Sequence, residues 1–186
     1  MLKNFLDLCK KRRSIRKYLE KPVPRNLILK CIEASQLAPS AENKQPWRFI
    51  IIDDFEILSK FKKIAFSGIY SVTKWAFSAP VIIVVLAKLD FITHKLGALF
   101  QKTDFHYIDI GIACEHLVLQ ATELGLGSCY IGWFNYKNVR KFLKIPRSYK
   151  IVNLITLGFY DEKNYKFPNK KIRTIEQIVR FNESFK

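Results

Sequence analysis

Hydrophobic side chains recur at helical spacing in two segments near the start of the chain, residues 2–11 and 25–37. Between them lie Pro22 and Pro24, which the interior of a helix does not tolerate. A polar loop with prolines near both ends, residues 38–46, follows the second segment. The pattern therefore predicts two amphipathic helices separated by a break and followed by a loop.

The rest of the chain switches between strand-like and helix-like patterns. Short runs rich in β-branched residues predict buried strands at 48–53, 81–86, 128–134 and 149–159. Apolar residues at every third or fourth position predict helices at 55–66, 105–124 and 137–143, and a helix or helical turn at 69–78. Gly125 is expected to end the longest of these helices as its C-cap.

Two segments are less regular. Residues 90–103 fit neither pattern clearly, and the tail, residues 161–186, begins basic and loop-like before an amphipathic stretch that contains Ile175, Ile178 and Val179. No internal repeat or linker interrupts the order of elements. Because helices and strands are mixed along the whole chain, the sequence predicts one α+β domain over residues 1–186.

The composition is that of an ordinary globular protein, with 49% apolar and 26% charged residues. The longest apolar run, residues 79–87, has less than half of the roughly 20 residues that a membrane-spanning helix needs. No secretory signal is visible, and the four cysteines form no Cys-x-x-Cys pair. We therefore expect a cytoplasmic protein with no membrane partner, no disulfide framework and no zinc site.

The charge is strongly basic, with 32 Lys and Arg against 16 Asp and Glu, a formal net charge of +16. Such a balance permits nucleic acid, an anionic membrane surface or a phosphorylated ligand as partner. The lysines are scattered over the whole chain, which is typical of a solvated surface. No recognised nucleic-acid motif is present and the aromatic residues fall mostly in apolar segments, so we expect no nucleic-acid partner.

Three arginines and a hydroxyl are packed into residues 12–16, RRSIR. In an extended chain, Arg12, Ser14 and Arg16 point to one side. Two guanidinium groups with a hydroxyl between them suit a phosphate, because they donate charge-assisted hydrogen bonds in a fixed geometry. A basic helix end on the surface accounts for the spacing equally well.

The polar loop continues through residues 39–47, PSAENKQPW, into a predicted buried strand. Its hydroxyl and amide side chains are the donors and acceptors that hold the polar edge of a flavin or nucleobase. Taken alone, the pattern favours an ordinary turn with Trp47 in the core. Lys171 and Arg173 in the tail form a second anion-binding candidate or plain surface. The three histidines lack metal-ligand spacing, so no metal is expected.

Taken together, these segments resemble the nitroreductase family of flavin enzymes. The matching segments are RRSIR (12–16), APSAENKQPWRF (38–49), APVIIVV (79–85), ELGLGSCYIGWF (123–134), IVNLITLGF (151–159) and KIR (171–173). The resemblance implies an α+β fold, with a central mixed or antiparallel sheet flanked by helices and a final helix after KIR. It also implies an intertwined homodimer with one FMN at each of two subunit interfaces.

The resemblance further implies roles for individual residues. The phosphate and ribityl chain of FMN are assigned to Arg12, Arg13, Ser14 and Arg16, with Lys171 and Arg173 closing on the phosphate. The ring is assigned to Pro39, Ser40, Asn43 and Gln45 from the other subunit, to Ile131 and Gly132 along the ring, and to Ser71 and Lys74 on the pyrimidine side. The tail, residues 161–186, is expected to wrap onto the FMN site and the partner.

The activity that the resemblance implies is hydride transfer from NAD(P)H, through bound FMN, to a nitroaromatic, quinone or related small-molecule acceptor in a ping-pong cycle. The chemistry belongs to the flavin, so no catalytic side chain is expected. Two alternatives stay open: a flavin-binding sensor or storage protein, and a basic nucleic-acid-binding module. Gly132 replaces an acidic residue of some members and residues 90–104 are brief, which leaves the acceptor open.

Overall fold

The computed structural model of the chain describes residues 4–88 and 104–185. The stretch 90–103, for which the sequence predicts no clear element, lies outside the described residues. So do residues 2 and 3, at the start of the first predicted helix.

The part of the chain that the structure describes contains four strands: β1 (Trp47–Ile52), β2 (Val81–Lys88), β3 (Gly127–Ile131) and β4 (Tyr149–Gly158). They form one sheet in the order β1-β2-β4-β3, and each neighbouring pair is antiparallel. β3 is three residues shorter at its end than predicted, because its partner β4 pairs with it only as far as Ile131. Helices accompany the sheet, which confirms the predicted α+β class.

Within the described residues, five α-helices flank this sheet: α1 (Phe5–Lys11), α2 (Arg25–Gln36), α3 (Phe55–Ala65), α4 (Phe105–Glu123) and α5 (Tyr136–Phe142). The helix or helical turn predicted at 69–78 is a 3₁₀ segment, Gly68–Ser78. Among residues 4–88 and 104–185, no helix is both long and apolar enough to cross a membrane.

Short polar side chains begin three of the helices. Asn4, Asp54 and Asn135 each accept a hydrogen bond from the backbone N–H three residues later, at the first turns of α1, α3 and α5. α4 ends as predicted, with Gly125 in the left-handed region at φ 75° just beyond it. These local signals set the helix boundaries that the sequence pattern predicts to within a few residues.

The final helix expected after residues 171–173 is not formed. Only one 3₁₀ turn, Ile175–Gln177, is present there, and the side chains of Ile175 and Ile178 are exposed. A helix of a few turns is stable mainly through the face that it packs on other elements. The amphipathic stretch finds no such surface among the described residues of its own chain, so periodicity alone does not make it helical.

The core fills both faces of the sheet, because helices cover both. Ile83 and Val85 of β2 pack in one cluster with α2 and α4, whereas Ile82 and Val84 pack in another with α3 and α5. Successive side chains of a strand point to opposite faces, so β2 reads as an uninterrupted apolar run. β3 lies at an edge of this rigid frame, where the candidate site is built.

Candidate functional site

A cavity of about 200 Å³ lies between residues 12–16 and the first part of the tail. It is lined by Arg12, Arg13, Ser14, Arg16, Phe167, Pro168, Asn169 and Lys170. The structure therefore brings together the four residues of the N-terminal segment that the sequence predicts as a phosphate site. The cavity is smaller than those that enclose whole cofactors, about 300 Å³ or more, and suits one anionic group of a larger ligand.

The backbone explains why these side chains converge. α1 ends at Lys11, and Arg12 already has extended geometry at ψ 118°. Ser14 then forms a parallel bridge with Ser128 of β3, and the Ile15 N–H donates to the Ser128 carbonyl at 2.9 Å. The short extended segment thus lies along the free edge of β3, and the three arginines leave it around Ser14.

Each arginine at the cavity has a different partner. Arg12 pairs with Glu115 of α4 at 3.1 Å, and Arg13 donates to the Pro168 carbonyl while its guanidinium lies 5.0 Å from the centre of the Phe167 ring. Arg16 lies 5.8 Å from the centre of the Trp75 ring. Arg13 therefore fastens the tail across the cavity, and no carboxylate is among the residues that line it. The result is a cationic site.

Cys129 of β3 lies behind this cluster. Burial raises the pKa of its thiol, against the opposing influence of the Arg16 and Arg12 guanidiniums and the Ser14 hydroxyl. The thiol is protonated at neutral pH and adds no negative charge to the site.

The end of β3 connects the cationic cavity to the 3₁₀ segment Gly68–Ser78. The Trp133 ring N–H donates to the Ile69 carbonyl at 3.1 Å. The Thr73 hydroxyl, which donates to the Tyr70 carbonyl at 2.7 Å, also lies 3.3 Å from the Trp133 carbonyl. Ile131 and Gly132 thus lie beside the segment that carries Ser71 and Lys74. Trp75 of the same segment lies beside Arg16, so the 3₁₀ segment also reaches the residues of the cationic cavity.

The polar loop 39–45 is held in an unusual backbone conformation. Glu42, Asn43 and Gln45 all have positive φ, between 48° and 53°. The Gln45 amide donates to Asn43 at 2.9 Å, the Gln45 N–H donates to the Ser40 hydroxyl at 2.9 Å, and Asp109 of α4 accepts from the Ala41 N–H at 3.1 Å. Three such residues in one loop cost roughly 1–3 kcal/mol each and are typical of functional sites.

The predicted residues are not all in one place. Pro39, Ser40, Asn43 and Gln45 do not line the cationic cavity of their own chain. Lys171 and Arg173 are exposed in the tail directly after the lining residues, and Lys170 occupies the lining instead. The sequence did not single out Lys170 or the Phe167 ring, since residues 167–170 meet Arg13 only through folding across 155 positions.

Comparisons with known proteins identify relatives of the chain. The profile of the nitroreductase family matches residues 9–159. A putative NADH dehydrogenase/NAD(P)H nitroreductase of Methanothermobacter thermautotrophicus is 32% identical over 84% of this chain and 77% of its own. Iodotyrosine deiodinase 1 of Rattus norvegicus is 27% identical over 94% of this chain and 68% of its own.

A solved structure gives the same result. The FMN-dependent nitroreductase of Clostridium difficile R20291 superposes with a TM-score of 0.72 at 32% identity, covering 95% of this chain and 98% of that one. The family profile covers most of the chain, including the cationic segment 12–16, all four strands and the ends of β3 and β4. The chain belongs to the nitroreductase family.

Proposed function

We propose that this protein is an FMN-dependent oxidoreductase that takes a hydride from NAD(P)H and delivers it to a nitroaromatic, a quinone or a related acceptor. The observation that carries the proposal is the cationic cavity at residues 12–16, in a chain of the nitroreductase family. The residues that we assign to the ring, Ile131 and Gly132 at the end of β3 and Ser71 and Lys74 on the 3₁₀ segment, support it.

The donors at the cavity fit the phosphate of FMN. A phosphate monoester carries close to two negative charges at neutral pH. Arg12, Ser14 and Arg16 offer two guanidiniums and a hydroxyl, and Lys170 adds a further cation from the tail. Glu115 neutralises part of the charge of Arg12, so the site remains cationic without being extreme. Lys171 and Arg173 follow Lys170 in the tail, and we assign them to the same phosphate.

The remaining residues serve the ring. Gly132 exposes backbone, with nothing within 4 Å of where a Cβ would be, so a flat ring can approach it beside Ile131. Ser71 and Lys74 lie on the adjacent segment, and a cation at the pyrimidine side stabilises negative charge that develops on the ring. Bound FMN itself supplies the hydride transfer, first from NAD(P)H and then to the acceptor.

The site is completed by a second copy of the chain. Pro39, Ser40, Asn43 and Gln45 lie in a preorganised, exposed loop outside the cationic cavity of their own chain, as expected if they serve the other subunit. The tail, residues 161–186, carries exposed apolar side chains and wraps onto the partner. Each homodimer then holds two FMN sites, and the chain acts as a single catalytic domain.

Flavin binding and turnover test the proposal directly. The purified protein should be yellow and should oxidise NADH or NADPH in the presence of a quinone, with the parallel double-reciprocal lines of a ping-pong cycle. A flavin-binding sensor or storage protein gives the colour without turnover. A basic nucleic-acid-binding module gives neither, and either result would reject the oxidoreductase.

The phosphate contacts are tested with two variants, Arg16→Ala and Arg173→Ala. Losing a charged hydrogen bond to a charged ligand costs on the order of 1.5–3 kcal/mol, so each variant should bind FMN about tenfold more weakly or worse. Riboflavin lacks the phosphate and should bind both variants as it binds wild type. Arg147→Ala, at an exposed arginine outside the cavity, is the matched control. Equal losses for both flavins would assign the two arginines to folding.

A further inference from the structure

The backbone on either side of Arg16 is fastened to the sheet at two points. Ile15 is bonded to Ser128 of β3, and the Leu19 N–H donates to the Phe159 carbonyl, just beyond β4, at 2.8 Å. Arg16 therefore lies in a short segment, residues 15–19, that runs from the edge of β3 to the end of β4. We call this segment the bridge. How precisely this bridge is held decides where the guanidinium lies.

The bridge packs on two glycines that are paired on the neighbouring strands β3 and β4. Gly127 of β3 is the register partner of Gly158 of β4. A Cβ at Gly127 would lie 2.7 Å from the Ile15 side chain, and one at Gly158 would lie 2.8 Å from the Tyr18 ring. Real Cβ atoms do not approach so closely. Because neither position has a side chain, Ile15 and Tyr18 pack directly on the backbone of these two glycines. We call Gly127 and Gly158 the glycine seat.

The peptide bond between Ile15 and Arg16 is held by the buried hydroxyl of Tyr18, which the buried hydroxyl of Thr156 contacts in turn. The Tyr18 hydroxyl lies 2.7 Å from the Ile15 carbonyl and 2.7 Å from the Thr156 hydroxyl, which in turn lies 3.2 Å from the Cys129 carbonyl. Tyr18 is 6% exposed and Thr156 is fully buried. Such a connected buried network is more rigid than separate surface contacts.

The same peptide is held from its other side as well. The Arg16 N–H donates to the hydroxyl of Tyr165 at 2.8 Å. The Ile15 carbonyl and the Arg16 N–H belong to one planar peptide group, so two tyrosine hydroxyls hold its two polar ends. Of the two, Tyr18 is the buried one, and Thr156 connects it to the backbone of β3.

We infer that Tyr18 and Thr156 are positioning residues, which hold the Ile15–Arg16 peptide so that Arg16 meets the phosphate of the cofactor. The inference rests on the proposed function, because it takes the anion at the cavity to be the FMN phosphate. It assigns part of the affinity for that phosphate to two hydroxyls that do not line the cavity. A preorganised donor binds more tightly because less conformational freedom is lost on binding.

The test compares FMN with riboflavin in Tyr18→Phe, which keeps the ring on the glycine seat and removes only the hydroxyl. We expect FMN affinity to fall several-fold, up to about tenfold, while riboflavin affinity stays within about twofold of wild type. Thr156→Val should act in the same direction and more weakly. Both affinities are measured by titration of flavin fluorescence, with circular dichroism to establish that each variant is folded.

A double variant shows whether the hydroxyl acts through Arg16. In Arg16→Ala the guanidinium is gone, so adding Tyr18→Phe should weaken FMN no further. Thr122→Val, which removes a buried hydroxyl bonded within α4 at 2.8 Å, is the matched control and should keep the wild-type ratio of the two affinities.

Three results would overturn the inference. Equal losses of FMN and riboflavin in Tyr18→Phe would assign its hydroxyl to the stability of the fold alone. Losses that add in the double variant would show that Tyr18 does not act through Arg16. If Arg16→Ala itself leaves FMN affinity unchanged, the proposed phosphate site fails and the inference fails with it, which is a distinguishable outcome.

Discussion

A lysine amine is buried beneath the segment that carries Ser71 and Lys74. Lys62 of α3 is 8% exposed, and its Nζ donates to the carbonyls of Phe77 at 2.9 Å and Ala79 at 2.7 Å. These carbonyls lie at the end of the 3₁₀ segment Gly68–Ser78, where no helical partner is left for them. The amine therefore fastens the end of this 3₁₀ segment to α3.

Burial lowers the pKa of Lys62 from 10.5 to about 8. Between these values the unfolded chain binds a proton that the folded chain does not, so this group makes the fold more stable as the pH rises. Compared with Lys62→Met, which does not titrate, wild type should gain about 2 kcal/mol in free energy of unfolding between pH 7.5 and 10. Urea denaturation of both proteins at each pH measures the gain. A difference independent of pH would show that the amine stays charged when buried.

The glycine seat makes a second prediction for single residues. Gly158→Ala brings a Cβ to 2.5 Å from the Pro80 ring and into the Tyr18 ring, so it should cost about 1–3 kcal/mol of stability. Gly111→Ala in α4 has nothing within 4 Å and should gain about 0.5–1 kcal/mol through helix propensity. Urea denaturation of the two variants should therefore give changes of opposite sign. If Gly158→Ala were as stable as wild type, the close packing of Tyr18 would be wrong.

Among the helices, α4 makes the largest contribution to the core on its face of the sheet. It packs with α2 over Ile83, Val85 and Ile155, and its own Leu117 is fully buried. Leu117→Ala should cost about 2–5 kcal/mol, because the cavity that it leaves cannot collapse in a rigid sheet–helix layer. Leu29→Ala, the same truncation at a side chain of α2 that is 64% exposed, should stay within about 0.5 kcal/mol. Chemical denaturation compares the two, and a loss for Leu117→Ala below that value would contradict the placement of α4.

The elements that the sequence predicted well are those with strong local signals. β2 and α4 have unbroken apolar patterns, and α1, α3 and α5 have polar caps, so their positions follow from neighbouring residues. The prediction of a final helix was wrong because such a helix forms only where it has a surface to pack on. An amphipathic period describes which face a helix would bury and does not supply the partner for it.

The candidate site likewise contains residues that the sequence identified and residues that it missed. The segment 12–16 was recognisable because its four polar residues lie within five positions of the sequence. The chain is extended there because α1 ends at Lys11. Phe167 and Lys170 were missed because only the path of the tail brings them to Arg13. The glycine seat was missed because the requirement for Gly127 and Gly158 comes from side chains that are distant in sequence, such as Ile15 and Tyr18. Close packing between distant segments is not visible in local patterns.

At the scale of the whole molecule, many large apolar side chains are exposed, and the packing of a single chain does not account for them. Phe5 and Leu6 of α1 are more than half exposed, and so are five side chains of the tail: Ile172, Ile175, Ile178, Phe181 and Phe185. An exposed apolar patch often marks an interface with another chain. In the proposed homodimer, a second copy would cover the tail and supply the surface on which the amphipathic stretch can pack.

The proposed dimer predicts that two defective chains restore a site together. One chain carries Arg16→Ala, with an intact polar loop, and the other carries Asn43→Ala and Gln45→Ala, with an intact phosphate site. If the loop serves the other subunit, each mixed dimer contains one site with both parts intact, and the mixture should bind FMN more tightly than either protein alone. Co-refolding followed by fluorescence titration measures this, and dilution below the dimer dissociation constant should release the regained FMN. If the loop served its own chain, no mixed dimer would contain an intact site, and the mixture would bind only as the average of its two components.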